Sequence, residues 1–367
     1  MTEFDTRRQQ RAEFLAAAGW RDANALALAG DASTRSYERL THNGRRAILM
    51  NAPVKAETAP CPPDASPAQR AALGYNALAR LAGPNLNAFI DIAGMLVGAG
   101  FSAPQVFAAD IGRGFALIED LGDDLFARAI PAGADEVELY AAAVDALVAL
   151  RRARLEPPAS AAYFMLEYDA VALAAETALL TEWYVPFRNG EPTDPAAATA
   201  FARAWQSVLS LLPAPSTVVL RDFHAENLIW LPARHGVARV GMIDFQDGLV
   251  GHSAYDLVSL LEDARRDVTP SLAMAMVDRY CANAETISGF DAKAFREEYA
   301  ILGAQRNAKI LGIFARLVKR DGKPRYEGLL PRVETHFRND LRHPALAPVA
   351  RVIAEIAPDL KPSGSAT

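Results

Sequence analysis

At Glu119-Asp120-Leu121-Gly122 the hydrophobic periodicity of the chain changes, and that change limits the folds open to it. Before this point strand patterns dominate. Residues 36–40 and 47–50 flank His42-Asn43-Gly44-Arg45, whose Asn-Gly pair is a strong short-range hairpin signal. Helices are expected over 9–29 and 87–100, with strands near 106–109 and 115–118. After the tetrapeptide, Leu139, Ala143, Leu147 and Leu150 recur at helical spacing, and helical patterns dominate most of the chain from there on. The exception is a short strand-like island over 217–230 and 238–245, which carries the densest polar residues in the chain. A small strand-rich part followed by a larger helical part is an α+β, two-lobed organisation. Its expected boundaries are an N-lobe over 1–118, a hinge at 119–122, a C-lobe over 123–361 and a frayed tail at 362–367.

Other classes fit less well. The net charge of -6, from 38 basic and 44 acidic residues, argues against nucleic acid or an anionic membrane as the main partner. Residues 92–109 are uncharged and about membrane-span length, but three glycines and Pro104 interrupt them; a buried helix, a turn and a strand are expected there. Two cysteines cannot build a disulfide framework or a zinc cluster, and no apolar signal core opens the chain, so a soluble, cytoplasmic protein is expected. The stretch 52–67, with five prolines, reads as a mobile loop or insertion.

The chemistry concentrates in Leu220-Arg221-Asp222-Phe223-His224-Ala225-Glu226-Asn227 and Gly241-Met242-Ile243-Asp244-Phe245-Gln246-Asp247. An Asp and an Asn five apart, followed about 20 residues later by an Asp closing an apolar strand, match a phosphotransfer template. An alcohol acceptor needs a group to take its proton, and Asp222 supplies one. The Asn227 carboxamide oxygen and the Asp244 carboxylate are hard ligands suited to Mg²⁺ bridging the phosphates of ATP. His224 and His252 read as hydrogen-bonding structural residues.

These segments resemble the catalytic and metal loops of the aminoglycoside phosphotransferase/choline kinase superfamily. They are closest to its anomeric N-acetylmuramate/N-acetylglucosamine kinase branch, which serves cell-wall recycling. Residues 30–37, 48–53, 116–122, Asp244-Phe245-Gln246-Asp247, 255–261, 311–317 and 320–323 resemble that branch as well, so the likeness spans roughly residues 20–350. The resemblance implies a protein-kinase-like fold and ATP-dependent phosphorylation of a small amino sugar, with Asp222 as base and Asn227 and Asp244 on Mg²⁺. It also implies Ser33, Thr34 and Arg35 beside the phosphates, the Glu119–Leu121 backbone on adenine, and Asp256 tying the catalytic loop. Glu182 and Trp183 resemble a segment on the acceptor side. Gln246 and Asp247 are placed to meet sugar hydroxyls or the N-acetyl group, or else to stabilise their own loop.

Two positions depart from the superfamily pattern. Leu220 stands where most members have a His, which questions the usual hydrogen-bond support of the loop. Met50 falls near the place of the phosphate-pairing lysine, leaving Arg35 or Lys55 to supply the charge. Two other readings compete: an aminoglycoside, choline-like or other small-alcohol kinase, which Asp247, Glu262 and Asp263 keep open, and a nucleotide-binding pseudokinase without turnover. The oligomeric state has no signal in the sequence.

Overall fold

The computed structural model of the chain describes residues 3–28, 35–53, 61–83, 85–160 and 162–362. Ser33, Thr34, residues 54–60 of the Pro-rich stretch (Lys55 among them) and the last five residues lie outside them. Helix α1 (Glu3–Ala17) precedes strands β1 (Asn24–Ala27), β2 (Ser36–His42) and β3 (Arg45–Asn51). Short helices α2 (Pro67–Leu73) and α3 (Tyr75–Leu78) lead to α4 (Leu86–Gly98), β4 (Val106–Asp110) and β5 (Phe115–Ile118). The strands form one antiparallel sheet in the order β1-β2-β3-β5-β4.

The hairpin forms where expected. Asn43 and Gly44 both adopt positive φ, 49° and 73°, a left-handed pair whose twist matches the flanking strands. Alternation then sorts the sheet's side chains into two layers. Ala47, Leu49, Phe115 and Leu117 pack with Phe14, Leu15 and Trp20, while Ile48, Met50, Ala116 and Ile118 join Phe89, Ile92 and Leu96 of α4 in the main core. The expected opening helix over 9–29 needs correction. It ends at Ala17, Gly19 turns left-handed at φ 76°, and Asn24–Ala27 becomes an edge strand on β2. Tertiary pairing overrides the helical propensity of its alanines and leucines.

After β5 come α5 (Phe126–Ala129), α6 (Glu136–Ala153), α7 (Ala170–Leu179), a π-helical turn (Leu180–Tyr184), α8 (Val185–Asn189) and α9 (Pro195–Leu209). Strands β6 (Thr217–Val219), β7 (Leu228–Trp230), β8 (Val240–Met242) and β9 (Leu249–Gly251) pair as β6–β9 and β7–β8. Helices α10 (Ala254–Leu261), α11 (Pro270–Ala284), α12 (Ala292–Lys319), α13 (Leu330–Asp340) and α14 (Ala347–Ile356) complete the described chain. Among the described residues no helix is long and apolar enough to cross a membrane. The α+β expectation holds: a five-stranded sheet, then a mostly helical remainder carrying two small two-stranded antiparallel sheets. All eight residues of α10 are buried, and α12, at about 1.5 Å per residue, runs about 40 Å through the helical part.

Candidate active site

Asp222 lies in the loop from β6 to β7, and α10 fixes that loop from behind. The buried Asp256 carboxylate accepts the Leu220 N–H at 2.7 Å and the Arg221 N–H at 2.9 Å. Leu220 is itself buried, so the loop's support enters through its backbone and needs no histidine side chain there. Arg221 sits at φ 69°, a conformation that orders the chain just before Asp222. Its guanidinium pairs with buried Glu176, donates to the Ala79 carbonyl at 3.2 Å and lies 4.7 Å over the Tyr168 ring. Lys309 of α12 joins this network, donating to the Tyr255 hydroxyl at 2.6 Å with Glu176 3.6 Å away.

Burial, the strongest influence on the Asp222 carboxyl, would raise its pKa. His224, Lys309, Arg221 and Arg306 together outweigh it and hold the group below the usual carboxylate range. Burial pushes His224 down to about 4, so at neutral pH its ring is uncharged and Lys309, Arg221 and Arg306 are the cations that act on Asp222. Asn227 Nδ2 donates to the Asp222 carbonyl at 3.0 Å and faces His224 Nε2 at 3.3 Å; Arg265 Nη1 faces the same nitrogen at 3.4 Å. Two donors on Nε2 put the ring proton on Nδ1.

Pairing of β7 with β8 sets Leu228 opposite Met242, and the Ile243 N–H donates to the Asn227 carbonyl at 3.1 Å. Asn227 and Asp244 are thereby brought to the same end of this small sheet. Asp244 adopts φ 61° and accepts from Gln246 Nε2 at 2.8 Å, while Phe245 stacks on Phe89 of α4, centroids 5.1 Å apart. Burial first, then the nearby Asp222 charge, pushes Asp244 up to about 6 against the Gln246 hydrogen bond. Two carboxylates that repel each other in a half-buried site suit a divalent cation. The Asn227 NH₂ is spent inside its loop, which leaves Oδ1 as the atom that could face a cation. Among the described residues no three His, Cys, Asp or Glu side chains gather as a metal cluster, so the fit rests on this Asn–Asp pair.

On the expected nucleotide side, Arg35 Nη2 donates to the Gly83 carbonyl at 2.8 Å, and its charge reaches Asp244. Met50 is buried in the sheet. The Glu119 side chain is occupied, accepting from Arg234 at 2.5 Å and from the Gln105 N–H at 3.3 Å. Leu121 packs at Gly241, where an added Cβ would come within 3.2 Å of Leu121 Cδ1. Next to it Asp120 is clasped by Arg39 at 2.8 Å and Arg46 at 2.6 Å.

The four expected acceptor-side residues divide. Asp247 Oδ1 accepts the Ala82 N–H at 2.6 Å, a tie that holds the segment before α4. Gln246 is buried, and its Oε1 has no hydrogen-bond partner among the described residues. It lines a cavity of about 490 Å³ with Arg80, Asn85, Ser160 and Tyr163. Glu182 is exposed on the π-helical turn and Trp183 packs against the main core. Neither is hydrogen-bonded to the catalytic loop among the described residues. Sequence reasoning missed Glu176 and Lys309; a single charged residue inside the mostly apolar Ala170–Leu179 was the available signal for the first.

With the geometry in place, comparison adds relatives. The family model described as "Phosphotransferase enzyme family" (APH) matches residues 24–295. The chain is 48% identical over 351 residues to the N-acetylmuramate/N-acetylglucosamine kinase of Caulobacter vibrioides, covering 95% of this chain and 96% of that one. It is 30% identical to the protein of the same name from Pseudomonas aeruginosa, covering 94% and 93%. The solved structure of a microcompartment-associated aminopropanol kinase superposes with a TM-score of 0.56 at 12% identity, over 90% of this chain and 95% of that one, a likeness of fold. With a family match across most of its length and two nearly full-length relatives, the chain belongs to the APH phosphotransferase enzyme family.

Proposed function

We propose that the chain transfers the γ-phosphoryl group of ATP to the anomeric hydroxyl of N-acetylmuramate and N-acetylglucosamine, in the cytoplasm. The observation that carries this reading is the 48% identity, over 95% of the chain, to a protein named for that pair of sugars. The presence of Asp222, Asn227 and Asp244 on two loops pinned to each other supports turnover over nucleotide binding alone.

In this reading Asp222 orients the sugar hydroxyl and takes its proton. The oxygen bonds to phosphorus, the bond from phosphorus to the β–γ bridging oxygen breaks, and ADP leaves with that electron pair. The anomeric hydroxyl is the most acidic on the sugar, which suits a base whose carboxyl is held below the ordinary range. Asn227 Oδ1 and Asp244 would hold Mg²⁺, which when bound offsets phosphate charge. Arg35, at Gly83 and within reach of the Asp244 charge, sits where the phosphates of this reading lie. The Glu119 and Leu121 backbone would take the adenine.

The test is a turnover assay with ATP, Mg²⁺ and a panel of amino sugars, aminoglycosides and choline, read by mass spectrometry and phosphorus NMR. Coupling of the product phosphorus to the anomeric proton supports the reading. A 6-phosphate, or aminoglycoside turnover without sugar turnover, overturns it.

A further inference from the structure

N-Acetylmuramate carries a lactyl ether ending in a carboxylate, and N-acetylglucosamine lacks it. Granting the acceptors proposed above, the pocket must meet a negative charge on one substrate and its absence on the other.

The cations around Asp222 already have partners. Arg221 is paired with Glu176, Lys309 with the Tyr255 hydroxyl and Glu176, and Arg306 donates to Ser259 Oγ at 2.9 Å. Arg80 donates to the Glu167 carbonyl at 2.6 Å and lies 3.2 Å from Asp169. Arg316 differs. Its guanidinium lies 5.2 Å over the Tyr75 ring, its Nε is shut off from water without a hydrogen-bond partner, and it forms no ion pair among the described residues. An aromatic face attracts the charge but accepts none of the in-plane N–H donors. Nε is thus a buried, idle donor on a half-buried guanidinium, and Asp321, a carboxylate that feels its charge, is already paired with Arg320, so the group fits an anion supplied from outside the chain.

Its position fits the acceptor end of the site. Arg316 lies seven residues past Lys309 on α12, on the same face and about 10 Å along the axis. Tyr75, beneath it, starts a segment that crosses the site: Arg221 holds the Ala79 carbonyl, Asp247 holds the Ala82 N–H, and Arg35 holds the Gly83 carbonyl. Residues 75–83 therefore form one wall running from Arg316, past the catalytic loop, to Arg35. A sugar with its reacting hydroxyl at Asp222 and the phosphates toward Arg35 turns its remote substituents toward Arg316.

We propose that Arg316 is a specificity residue that binds the lactyl carboxylate of N-acetylmuramate. The experiment compares wild type, Arg316→Gln and Arg316→Lys on three acceptors: N-acetylmuramate, its methyl ester and N-acetylglucosamine. Removing one charge-assisted hydrogen-bonding group should lower the ratio of kcat/KM for N-acetylmuramate over N-acetylglucosamine by roughly 10- to 100-fold in Arg316→Gln, mainly through KM. Arg316→Lys should recover part of that ratio. Wild type should lose a similar factor on the ester, and Arg316→Gln should no longer distinguish acid from ester. Equal losses on all three acceptors assign Arg316 a structural role and overturn the proposal. So does acid–ester discrimination that persists in Arg316→Gln. The wild-type acid–ester comparison needs no variant, and its absence overturns the proposal even where a variant fails to fold. A wild-type enzyme that turns over neither sugar rejects the acceptor assignment instead.

Discussion

Gly312 of α12 stands so close to Leu179 that a Cβ added to it would lie 2.4 Å from the Leu179 carbonyl carbon and oxygen. The contact falls where α7 gives way to the π-helical turn Leu180–Tyr184, so the missing side chain at 312 sets how near that turn approaches α12. Gly312→Ala gains helix propensity, about 1 kcal/mol, but the opposing atoms are backbone and cannot swing aside. Net destabilisation of about 1–3 kcal/mol is expected from overpacking, read by denaturant unfolding. Gly94→Ala, exposed in α4 with nothing within 4 Å of the added Cβ, should stabilise by about 0.5–1 kcal/mol. A stabilised Gly312→Ala would mean that the two helices can part freely.

Asp222→Asn should bind ATP nearly as well as wild type yet lose on the order of 10²–10⁴ in kcat, because an amide cannot take the hydroxyl proton. The variant also removes one of the two negative charges that favour the cation, so Mg²⁺-nucleotide affinity should fall only modestly beside the loss in kcat. Titration calorimetry beside a turnover assay checks both halves. Near-wild-type kcat takes Asp222 out of the mechanism.

Asp256 is pushed up to about 7 by burial, against the two backbone N–H groups it accepts. A carboxyl whose folded pKa is raised stabilises most below its unfolded value and loses that contribution as pH climbs to the folded one. The window is therefore about pH 4 to 7, with a span of up to roughly 4 kcal/mol. Asp256→Asn has no such titration, so its stability relative to wild type should rise across that window and level off above it. Its kcat should also fall, because an amide NH₂ turned toward a backbone N–H loosens the Asp222 loop. A difference curve flat from pH 4 to 7 would remove the linkage.

What was legible in the sequence was local. Asn43-Gly44 specifies its own turn, and Asp222 with Asn227 shares one loop that needs a single strand pairing to reach Asp244. The phosphotransferase kinship was carried by contiguous segments of the same kind. Strand β1 was not legible, because Asn-Ala-Leu-Ala has no β-branched residue and becomes a strand only by meeting β2. Nor was the clamp of Glu176, Arg221 and Lys309, whose members come from α7, the catalytic loop and α12. Leu220 is a weakness only in its side chain, which is all a sequence pattern compares; its backbone N–H makes the connection.

Arg35→Ala should raise the KM for ATP more than the KM for sugar. Arg35 reaches the Gly83 carbonyl and its field acts on Asp244, whereas buried Met50 brings no charge from the sheet. On the proposed placement of Arg35 beside the phosphates, losing its guanidinium should cost about tenfold in KM for ATP. Steady-state kinetics with each substrate varied in turn checks the split. A larger effect from Lys55→Ala would transfer the role to that lysine.

Asn227→Ala and Asp244→Ala should both weaken Mg²⁺-nucleotide binding, with Asp244→Ala the worse. The carboxylate offsets metal charge, while the carboxamide contributes only a dipole. The structure adds a second difference. Asn227 also holds its own loop through Nδ2 at the Asp222 carbonyl and against His224, so Asn227→Ala should lower kcat even at saturating Mg²⁺. Asn227→Asp separates the two effects. It keeps a ligand oxygen but leaves the Asp222 carbonyl without its donor and His224 Nε2 with Arg265 alone, and it adds a third negative charge beside Asp222 and Asp244. Apparent Mg²⁺ affinity should then recover while kcat stays low. Mg²⁺ titrations of activity at fixed ATP read both quantities, and unchanged Mg²⁺ dependence in both alanine variants would refute the ligand pair.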